Sequence, residues 1–324
     1  MKNFYQKLFC MIIFILSLNV AVAQSVWPSK PIRIIVPFAA GGNTDLVARI
    51  TAVRLSQILG QPVLVENKAG SGGMIATDLV AKSPPDGYTL LMSSTGPHTI
   101  LPSLMKKIPY NSLTDLAPVS NISSNALVLL VNPKLPVNNV SELIALAKKE
   151  PGKISFSSAG IGATTHLSGE VFKSMSGIDI VHVPYRGGAP ATSAAFSGEV
   201  QITFANLSDA LPQMNGGTLR AIAVTSAKRQ PLAPNVPTIA ESGLPGYEVI
   251  VWNGLVAPAK TPPEIINRLA SAIQTITREP KFQVKIEEIG SNLIGDTPEQ
   301  FSAFIDQEIK RWAKVVKVSG ATLD

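Results

Sequence analysis

Glycine-rich turns that lead from a buried strand into a helix are the segments of this chain best suited to hold a ligand. In the first, the apolar strand Ile32–Pro37 is followed by small residues at positions 39–42 and then by a helix that Asn43 or Thr44 can cap. The first amides of a helix lack acceptors and carry partial positive charge. Because glycine lets an anion approach these amides closely, the turn is predicted to bind an anion. Asp45 is either a capping carboxylate or a ligand contact.

A second turn of the same kind follows the strand Ser155–Ser157. The chain passes through Ser158, Ala159, Gly160 and Gly162 into a helix that starts near Thr164, where Thr165 adds another hydroxyl. Two such helix ends that face each other across a cleft hold one carboxylate without a buried lysine or arginine. The sequence therefore predicts a carboxylate site between two lobes.

Further loops are predicted to line the same cleft. They are Ala69–Met74 with Gly70, Ser93–His98 with Thr95, Val183–Pro190 with Tyr185, and Phe204–Asn206. Tyr185 and Arg186 either face the ligand or brace their loop.

Motifs of enzymatic chemistry are incomplete. The run from Gly160 to Thr165 resembles a dinucleotide-binding fingerprint but has threonine in place of the last glycine. The sequence holds neither a phosphate-loop Gly-Lys-Ser/Thr nor a Gly-x-Ser-x-Gly elbow. His98, His166 and His182 are too far apart for a local metal site, and the single cysteine, Cys10, lies near the N-terminus. We therefore predict no catalytic residue, no cofactor and no metal, with a secreted α/β hydrolase as the enzymatic alternative.

Apolar, β-branched runs alternate with amphipathic segments along the chain, which predicts an α/β fold with mostly parallel sheets. The predicted strands are Ile32–Pro37, Val63–Glu66, Thr89–Ser93, Ala126–Val131, Ser155–Ser157, Ile180–Val183, Ile202–Phe204, Ala221–Val224 and Val249–Val256. The predicted helices include Thr44–Leu59, Met74–Lys82, Ser141–Lys149, Thr165–Ser176 and Ala189–Ser197.

Two more helices are predicted near the C-terminus, each preceded by a capping sequence. Thr261 and Thr297 supply capping oxygens, and each is followed by proline and glutamate. The second helix carries an apolar stripe from Phe301 to Val316, which either packs on its own domain or docks a partner.

The N-terminus has the layout of a cleaved secretory signal, residues 1–23. Lys2 and Lys7 precede an apolar run, and cleavage is expected after Ala23, with an uncleaved membrane tether as the alternative. Loss of the two lysines reduces the formal charge from +6 to +4, since 6 − 2 = 4. The remaining charges are mixed and form no basic stripe, so we expect no nucleic-acid partner.

Two long apolar segments, 125–131 and 247–255, are predicted to cross between two lobes as hinge strands. Residues 24–124 and 256–324 then form lobe 1, and residues 132–246 form lobe 2.

Five motifs, in matching order along the mature chain, resemble the Bug-type receptors of tripartite tricarboxylate transporters. They are Val36–Asp45, Val65–Gly73, Pro84–Leu90, Val183–Gly188 and Asn235–Gly243. Two positions depart from the family's pattern. Asn43 stands where a small residue or proline is common, and Arg186 stands where lysine is frequent.

The resemblance implies a monomeric periplasmic binding protein of type II, in which two α/β lobes joined by two crossing strands close on an organic acid. It also implies delivery of this ligand to an integral-membrane transporter, with a ligand-sensing subunit of a membrane signalling protein as the alternative. Main-chain amides at the facing helix ends would hold the carboxylate. The implied contacts are Phe38, Ala40, Gly41, Asn43, Thr44 and Asp45 in lobe 1, and Ser158, Ala159, Gly160, Thr164 and Thr165 in lobe 2. With Gly70, Thr95, Tyr185 and Asn206 from the loops, these residues form the predicted site.

Overall fold

The computed structural model describes residues 27–319, so the predicted signal sequence at 1–23 lies outside the described residues. The strands are β1 Ile32–Val36, β2 Val63–Asn67, β3 Thr89–Ser94, β4 Leu116–Val131, β5 Ser155–Ser158, β6 Val181–Pro184, β7 Ile202–Asn206, β8 Arg220–Val224, β9 Ile250–Pro258 and β10 Asn292–Leu293. The α-helices are α1 Asn43–Leu59, α2 Met74–Ala81, α3 Leu101–Leu104, α4 Val140–Lys149, α5 Thr164–Ser176, α6 Gly188–Ser197, α7 Leu207–Asn215, α8 Pro263–Thr277, α9 Pro280–Glu288 and α10 Pro298–Ser319.

The strands form two sheets, one in each lobe, that share the long strand β4. The first sheet has the order β2-β1-β3-β9-β4, with β10 on the other edge of β4. The second has the order β4-β7-β5-β6, and β8 pairs with β4 as well. The pairs β1–β2, β1–β3, β5–β6 and β5–β7 are parallel, as predicted, whereas β4 and β9 run antiparallel to their neighbours.

Two chain segments cross between the lobes. In β4, residues up to Ala126 pair with β9 of the first sheet, and residues from Leu127 onward pair with β7 and β8 of the second. In the returning segment, the Val249 amide donates to the Thr225 carbonyl, and pairing with the first sheet starts at Ile250. The assignment of residues 125–131 and 247–255 as hinge strands stays a prediction.

The cores of the two lobes are largely separate. Ile34, Val36 and Leu55 belong to the core of the first lobe, while Phe156, Phe172 and Phe204 belong to the core of the second. The second core also takes in Ile100 and Leu104 from the region of α3, and Trp312 and Val316 from α10. Residues of α3 and α10 therefore connect the two lobes through a shared core. The division of the chain at residues 124, 132, 246 and 256 stays a prediction.

The apolar stripe of α10 packs against both lobes of its own chain. Phe301 and Ile305 contact the cluster around Trp252 in the first lobe, and Trp312 packs near Phe172 in the second. The stripe is therefore core and not a free docking face.

The two C-terminal capping predictions have different outcomes. At α10, the Thr297 Oγ1 accepts from the Gln300 amide and the Gln300 Oε1 accepts from the Thr297 amide, so that capping box is confirmed. At α8, the prediction of a Thr261 cap is wrong, because Pro262 is the N-cap and no side chain caps the helix. Pro263 forces Pro262 into an extended conformation, which places Thr261 one residue too early to cap.

Within residues 27–319, no helix has the length and apolar content needed to cross a membrane.

A test of the second core is the substitution Gly169→Ala in α5. A Cβ at this position would lie 2.2 Å from Cε2 of the fully buried Phe156. Overpacking of this kind costs about 1–3 kcal/mol, which exceeds the gain of up to about 1 kcal/mol in helix propensity. We expect urea denaturation to show a lower free energy of unfolding. Met175→Ala, at an exposed position of the same helix, should change it by less than about 0.5 kcal/mol. A more stable Gly169→Ala protein would contradict this packing.

Candidate functional site

Four helix N-termini meet at one cavity between the lobes, where the space free of protein atoms is about 360 Å³, including the part that is open to solvent. The helices are α1 from the first lobe and α5, α6 and α7 from the second. The lining residues are Phe38, Gly42, Asn43, Thr44, Ser94, Ala159, Ala163, Thr164, Thr165, Gly188, Asn206 and Val251. Because each helix follows a strand through a short turn, the fold brings their first turns to the same place.

The charge at this cavity comes from the backbone. None of the twelve lining residues found in the described part of the chain is a lysine, arginine or histidine. All four helices lack a side-chain cap on their first amides. Each helix N-terminus carries roughly half a positive charge. The cavity is therefore electropositive without a basic side chain, which suits a small anion.

At the end of α1, a polar network holds the turn that precedes the helix. The Asp45 Oδ2 accepts from the Gly41 amide and from Arg49 Nε, both at 2.9 Å. The Asp45 Oδ1 accepts from Asn67 Nδ2 at 2.9 Å, and Asn67 also donates to the Phe38 carbonyl at 3.0 Å. Burial alone would raise the pKa of the Asp45 carboxyl, but the hydrogen bonds from Arg49, Gly41 and Asn67 outweigh it and lower that pKa. Asp45 is thus an ionised brace whose charge Arg49 balances.

At the end of α5, hydroxyl and imidazole groups hold the preceding turn. The Ala159 amide donates to Thr165 Oγ1 at 2.8 Å, and the Gly162 amide donates to His166 Nδ1 at 3.1 Å. Ser158 Oγ lies 2.6 Å from Nε2 of His182, whose ring stacks on that of His166 at a centroid distance of 4.0 Å. Burial lowers the pKa of His166 to about 4 and the pKa of His182 to about 3. Both rings are therefore neutral near pH 7, and His166 accepts the loop amide through an unprotonated Nδ1.

The floor of the cavity is formed by the crossing strands. Val251 of β9 lines the cavity, and the neighbouring Asn253 on the same face donates to Asn43 Oδ1 at 2.8 Å. Asn43 in turn donates from Nδ2 to Ser291 Oγ at 3.0 Å. The Asn43 side chain therefore ties α1 to the hinge, and the backbone of its helix turn is left to face the cavity.

The two lobes touch through backbone at glycine positions. A Cβ on Gly72 would lie 1.9 Å from the Ile161 carbonyl oxygen, and a Cβ on Gly187 would lie 2.9 Å from Cβ of Ala39. The Ala39 amide donates to the Arg186 carbonyl across the cleft at 3.2 Å. This close approach requires residues without side chains.

The structure brings seven of the fifteen predicted site residues onto the cavity: Phe38, Asn43, Thr44, Ala159, Thr164, Thr165 and Asn206. Gly70, Gly160 and Tyr185 line an adjoining groove between the lobes, which also touches Phe38 and Ala159. The Tyr185 hydroxyl donates to Glu199 at 2.6 Å, which favours its bracing role.

The other five predicted residues do not line the cavity. The Gly41 amide is used by Asp45, and a Cβ on Gly41 would meet nothing within 4 Å. Ser158 is engaged with His182, and Thr95 Oγ1 accepts from the Trp252 amide at 2.9 Å. Ala40, next to Gly41, and Asp45, in the first turn of α1, are likewise absent from the lining. The groups that oppose each other across the cavity are therefore Gly42–Thr44 and Ala163–Thr165.

The prediction missed five lining residues: Gly42, Ser94, Ala163, Gly188 and Val251. Gly188 had a usable signal, because it opens a helix after a strand and a glycine-containing turn. Val251 had none, because an apolar residue of a strand is ordinarily core. In the described range 27–319, no group of three or more histidine, cysteine or acidic residues is arranged to hold a metal ion.

Comparison with known proteins gives concordant results. A family model described as the tripartite tricarboxylate transporter family receptor matches residues 47–321. Protein BugT of Bordetella pertussis is 41% identical over 314 residues, which cover 96% of each chain. The R. palustris protein Rpa4515, solved with adipate, superposes with a TM-score of 0.88 at 38% identity and covers 91% of this chain and 98% of its own. MatC from Rhodopseudomonas palustris, with bound malate, gives a TM-score of 0.86 at 30% identity and covers 90% of this chain and 100% of its own.

The glycine contacts between the lobes are tested by Gly72→Ala with Gly60→Ala as its control. Both glycines have positive φ, +62° and +70°, so alanine costs each about 1–2 kcal/mol of backbone strain. Only at Gly72 does the new Cβ collide with the opposite lobe, because the surroundings of Gly60 are open. We expect similar losses of stability, but a loss of ligand affinity of at least about tenfold only in Gly72→Ala. Calorimetric titration with the organic acid that most raises the Tm of the wild type measures this, and equal affinities in the two variants would contradict it.

The histidine pair is tested by the pH dependence of stability. Between pH 6.5 and about 4, the unfolded chain binds protons on His166 that the native protein does not, since the native pKa is lowered to about 4. The free energy of unfolding should therefore fall as the pH falls through this range, by up to about 1.4 kcal/mol per pH unit for this residue. In His166→Gln, urea denaturation at stepped pH should show a shallower slope between pH 6 and 5. An unchanged slope would mean that native His166 titrates like an exposed histidine.

Proposed function

Because the chain belongs to the tripartite tricarboxylate transporter receptor family, we propose that it captures a small organic carboxylate between its two lobes and delivers it to an integral-membrane transporter. The family is one of solute-binding receptors, so the protein is a receptor and not an enzyme. Its members act in the periplasm, and we propose that a signal sequence cleaved after Ala23 directs this chain there as a monomer.

The convergence of uncapped helix N-termini supports a carboxylate as the ligand. A carboxylate is planar and has four lone-pair positions, so it accepts amides from two sides at once. The free amides of Asn43 and Thr44 in α1 and of Thr164 and Thr165 in α5 belong to different lobes. A carboxylate held by both would link the lobes and favour the closed state, because its affinity for that state is higher. The adipate and malate of the two R. palustris neighbours are acids of this class.

The first-turn amides of the second lobe are tested by replacing Thr164, the first residue of α5. Proline is well tolerated at this helix position, and Ala163 before it is already extended at φ −67°, ψ 155°. Thr164→Pro therefore removes one amide donor and preserves the helix, whereas Thr164→Ala removes only the hydroxyl. A hydrogen bond to a charged group contributes about 1.5–3 kcal/mol. We expect the proline variant to bind its acid about tenfold to a hundredfold more weakly than the alanine variant.

The measurement is thermal unfolding of the mature protein with a panel of mono- and dicarboxylates, followed by calorimetric titration. A ligand bound only by the native state raises the Tm. The absence of any shift across the panel would contradict a carboxylate receptor. Equal affinities of Thr164→Pro and Thr164→Ala would remove the α5 amides from the site.

A further inference from the structure

The four helix ends at the cavity differ in the carboxylates that the protein itself supplies. α1 has Asp45 in its first turn and α7 has Asp209, while α5 and α6 have no acidic residue there. Asp45 is paired with Arg49. Asp209 also lies against α6, since its Oδ2 would be 2.3 Å from a Cβ on Gly188. One internal carboxylate therefore faces the ends of both α6 and α7.

Asp209 has no balancing cation. Its side chain is buried, and across residues 27–319 it forms no ion pair with a lysine, arginine or histidine. Burial raises the pKa of the Asp209 carboxyl to about 7. A buried carboxylate without a cation is unusual, because removal of its charge from water is costly. A partner that donates hydrogen bonds would offset this cost.

A relay of amides connects Asp209 to the floor of the cavity. Asn125 Nδ2 donates to the Ala126 carbonyl at 3.1 Å and to Asn206 Oδ1 at 2.9 Å. Asn206 Nδ2 then points to Asp209 Oδ2 at 3.4 Å. Because a carbonyl only accepts, the contact with Ala126 fixes the orientation of the Asn125 amide, and the orientation of Asn206 follows from it.

This orientation leaves an acceptor without a donor. Asn125 is fully buried, and its Oδ1 has no hydrogen-bond partner. Asn125 is the direct cross-strand neighbour of Val251, so the two side chains share one face of the sheet, and Val251 lines the cavity. An unpaired buried acceptor costs about 1–3 kcal/mol. We call Asn125, Asn206 and Asp209 the acceptor corner.

We propose that the acceptor corner selects a carboxylate ligand that also carries a hydrogen-bond donor, an ammonium or a hydroxyl group. The ligand carboxylate lies between the ends of α1 and α5, where no unpaired acid opposes it. The donor group lies at the ends of α6 and α7, over Gly188 and Asn206, where it satisfies the corner. This assignment rests on the proposed carboxylate function and adds the class of acid to it.

The test uses three acids with one carbon skeleton, which differ only at a single position: succinate, malate and aspartate. Calorimetric titration of the mature wild-type protein should show malate or aspartate binding at least about tenfold more tightly than succinate, since an unsatisfied corner opposes the donor-free acid. A preference for aspartate assigns an ammonium to the corner, and a preference for malate assigns a hydroxyl.

Two variants locate the preference at the corner. Asn125→Ala removes the unpaired oxygen, and Asp209→Asn removes the buried charge at constant size. In Asn125→Ala, we expect the preferred donor-bearing acid to bind less than threefold more tightly than succinate. In Asp209→Asn, we expect aspartate to bind less than threefold more tightly than succinate. Asp306→Asn, at an exposed position of α10, should keep the wild-type ratio. Each ratio compares two ligands on the same protein. A general loss of stability would weaken both affinities alike and would leave the ratio unchanged.

Three outcomes would overturn the inference and leave the carboxylate function intact. Succinate binds as tightly as malate and aspartate; or the preference survives in both corner variants; or none of the three acids binds while another donor-free acid of the panel does. If no acid of the panel binds at all, the proposed function itself fails.

Discussion

The physical constraint on which this structure depends is the short distance over which a helix N-terminus attracts an anion. The electrostatic effect of the free amides is lost beyond about one turn. An anion site without basic side chains therefore requires several helix ends to meet within a few ångströms. Here the helices α1, α5, α6 and α7 follow β1, β5, β6 and β7, respectively, and the N-termini of all four helices line a single cavity. Only α1 comes from the first lobe, so the site is complete only when the lobes are together.

Closure of the lobes also requires that their surfaces fit together beside the cavity. Beside the cavity, Gly72 faces the Ile161 carbonyl and Gly187 faces Ala39, so these contacts between the lobes are made by backbone. The apolar contacts between the lobes lie elsewhere, at α3 and α10. Contacts of this kind provide little affinity of the lobes for each other, since hydrophobic stabilisation scales with the apolar area removed from water. A ligand bound by both lobes is then what shifts the equilibrium to the closed state, to the extent of its differential affinity for it.

How far the site can be predicted from sequence depends on whether its residues differ from ordinary scaffold residues. The positions of the turns before α1 and α5 agree with the prediction, because glycines between an apolar strand and an amphipathic helix are a distinctive pattern. Their role in ligand binding stays a prediction. Gly41 shares that pattern, but its amide is taken by Asp45, a contact that only coordinates reveal. The first part of β4, residues 116–125, was not predicted as a strand, because its serines and asparagines interrupt the apolar pattern. These polar residues include Asn125, which lies beside the cavity. The same polar side chains that bring the strand into the site therefore hide its apolar strand pattern in the sequence.

Asp45 and Asp209 show why position alone does not assign a role to a residue. Both are acids in the first turn of a helix that ends at the cavity, where a carboxylate is ordinarily a favourable partner of the helix dipole. Asp45 has Arg49, Asn67 and the Gly41 amide around it, and its pKa is lowered. Asp209 has the Asn206 amide, the Ser208 side chain and the glycine end of α6 beside it but no cation, and burial raises its pKa to about 7. The charge of the first acid is balanced by a cation, whereas the second acid is buried without one, next to the unpaired Oδ1 of Asn125 in the acceptor corner. In a receptor whose lobes close on a small solute, unfilled acceptor capacity beside the cavity is the feature that distinguishes one acid from another.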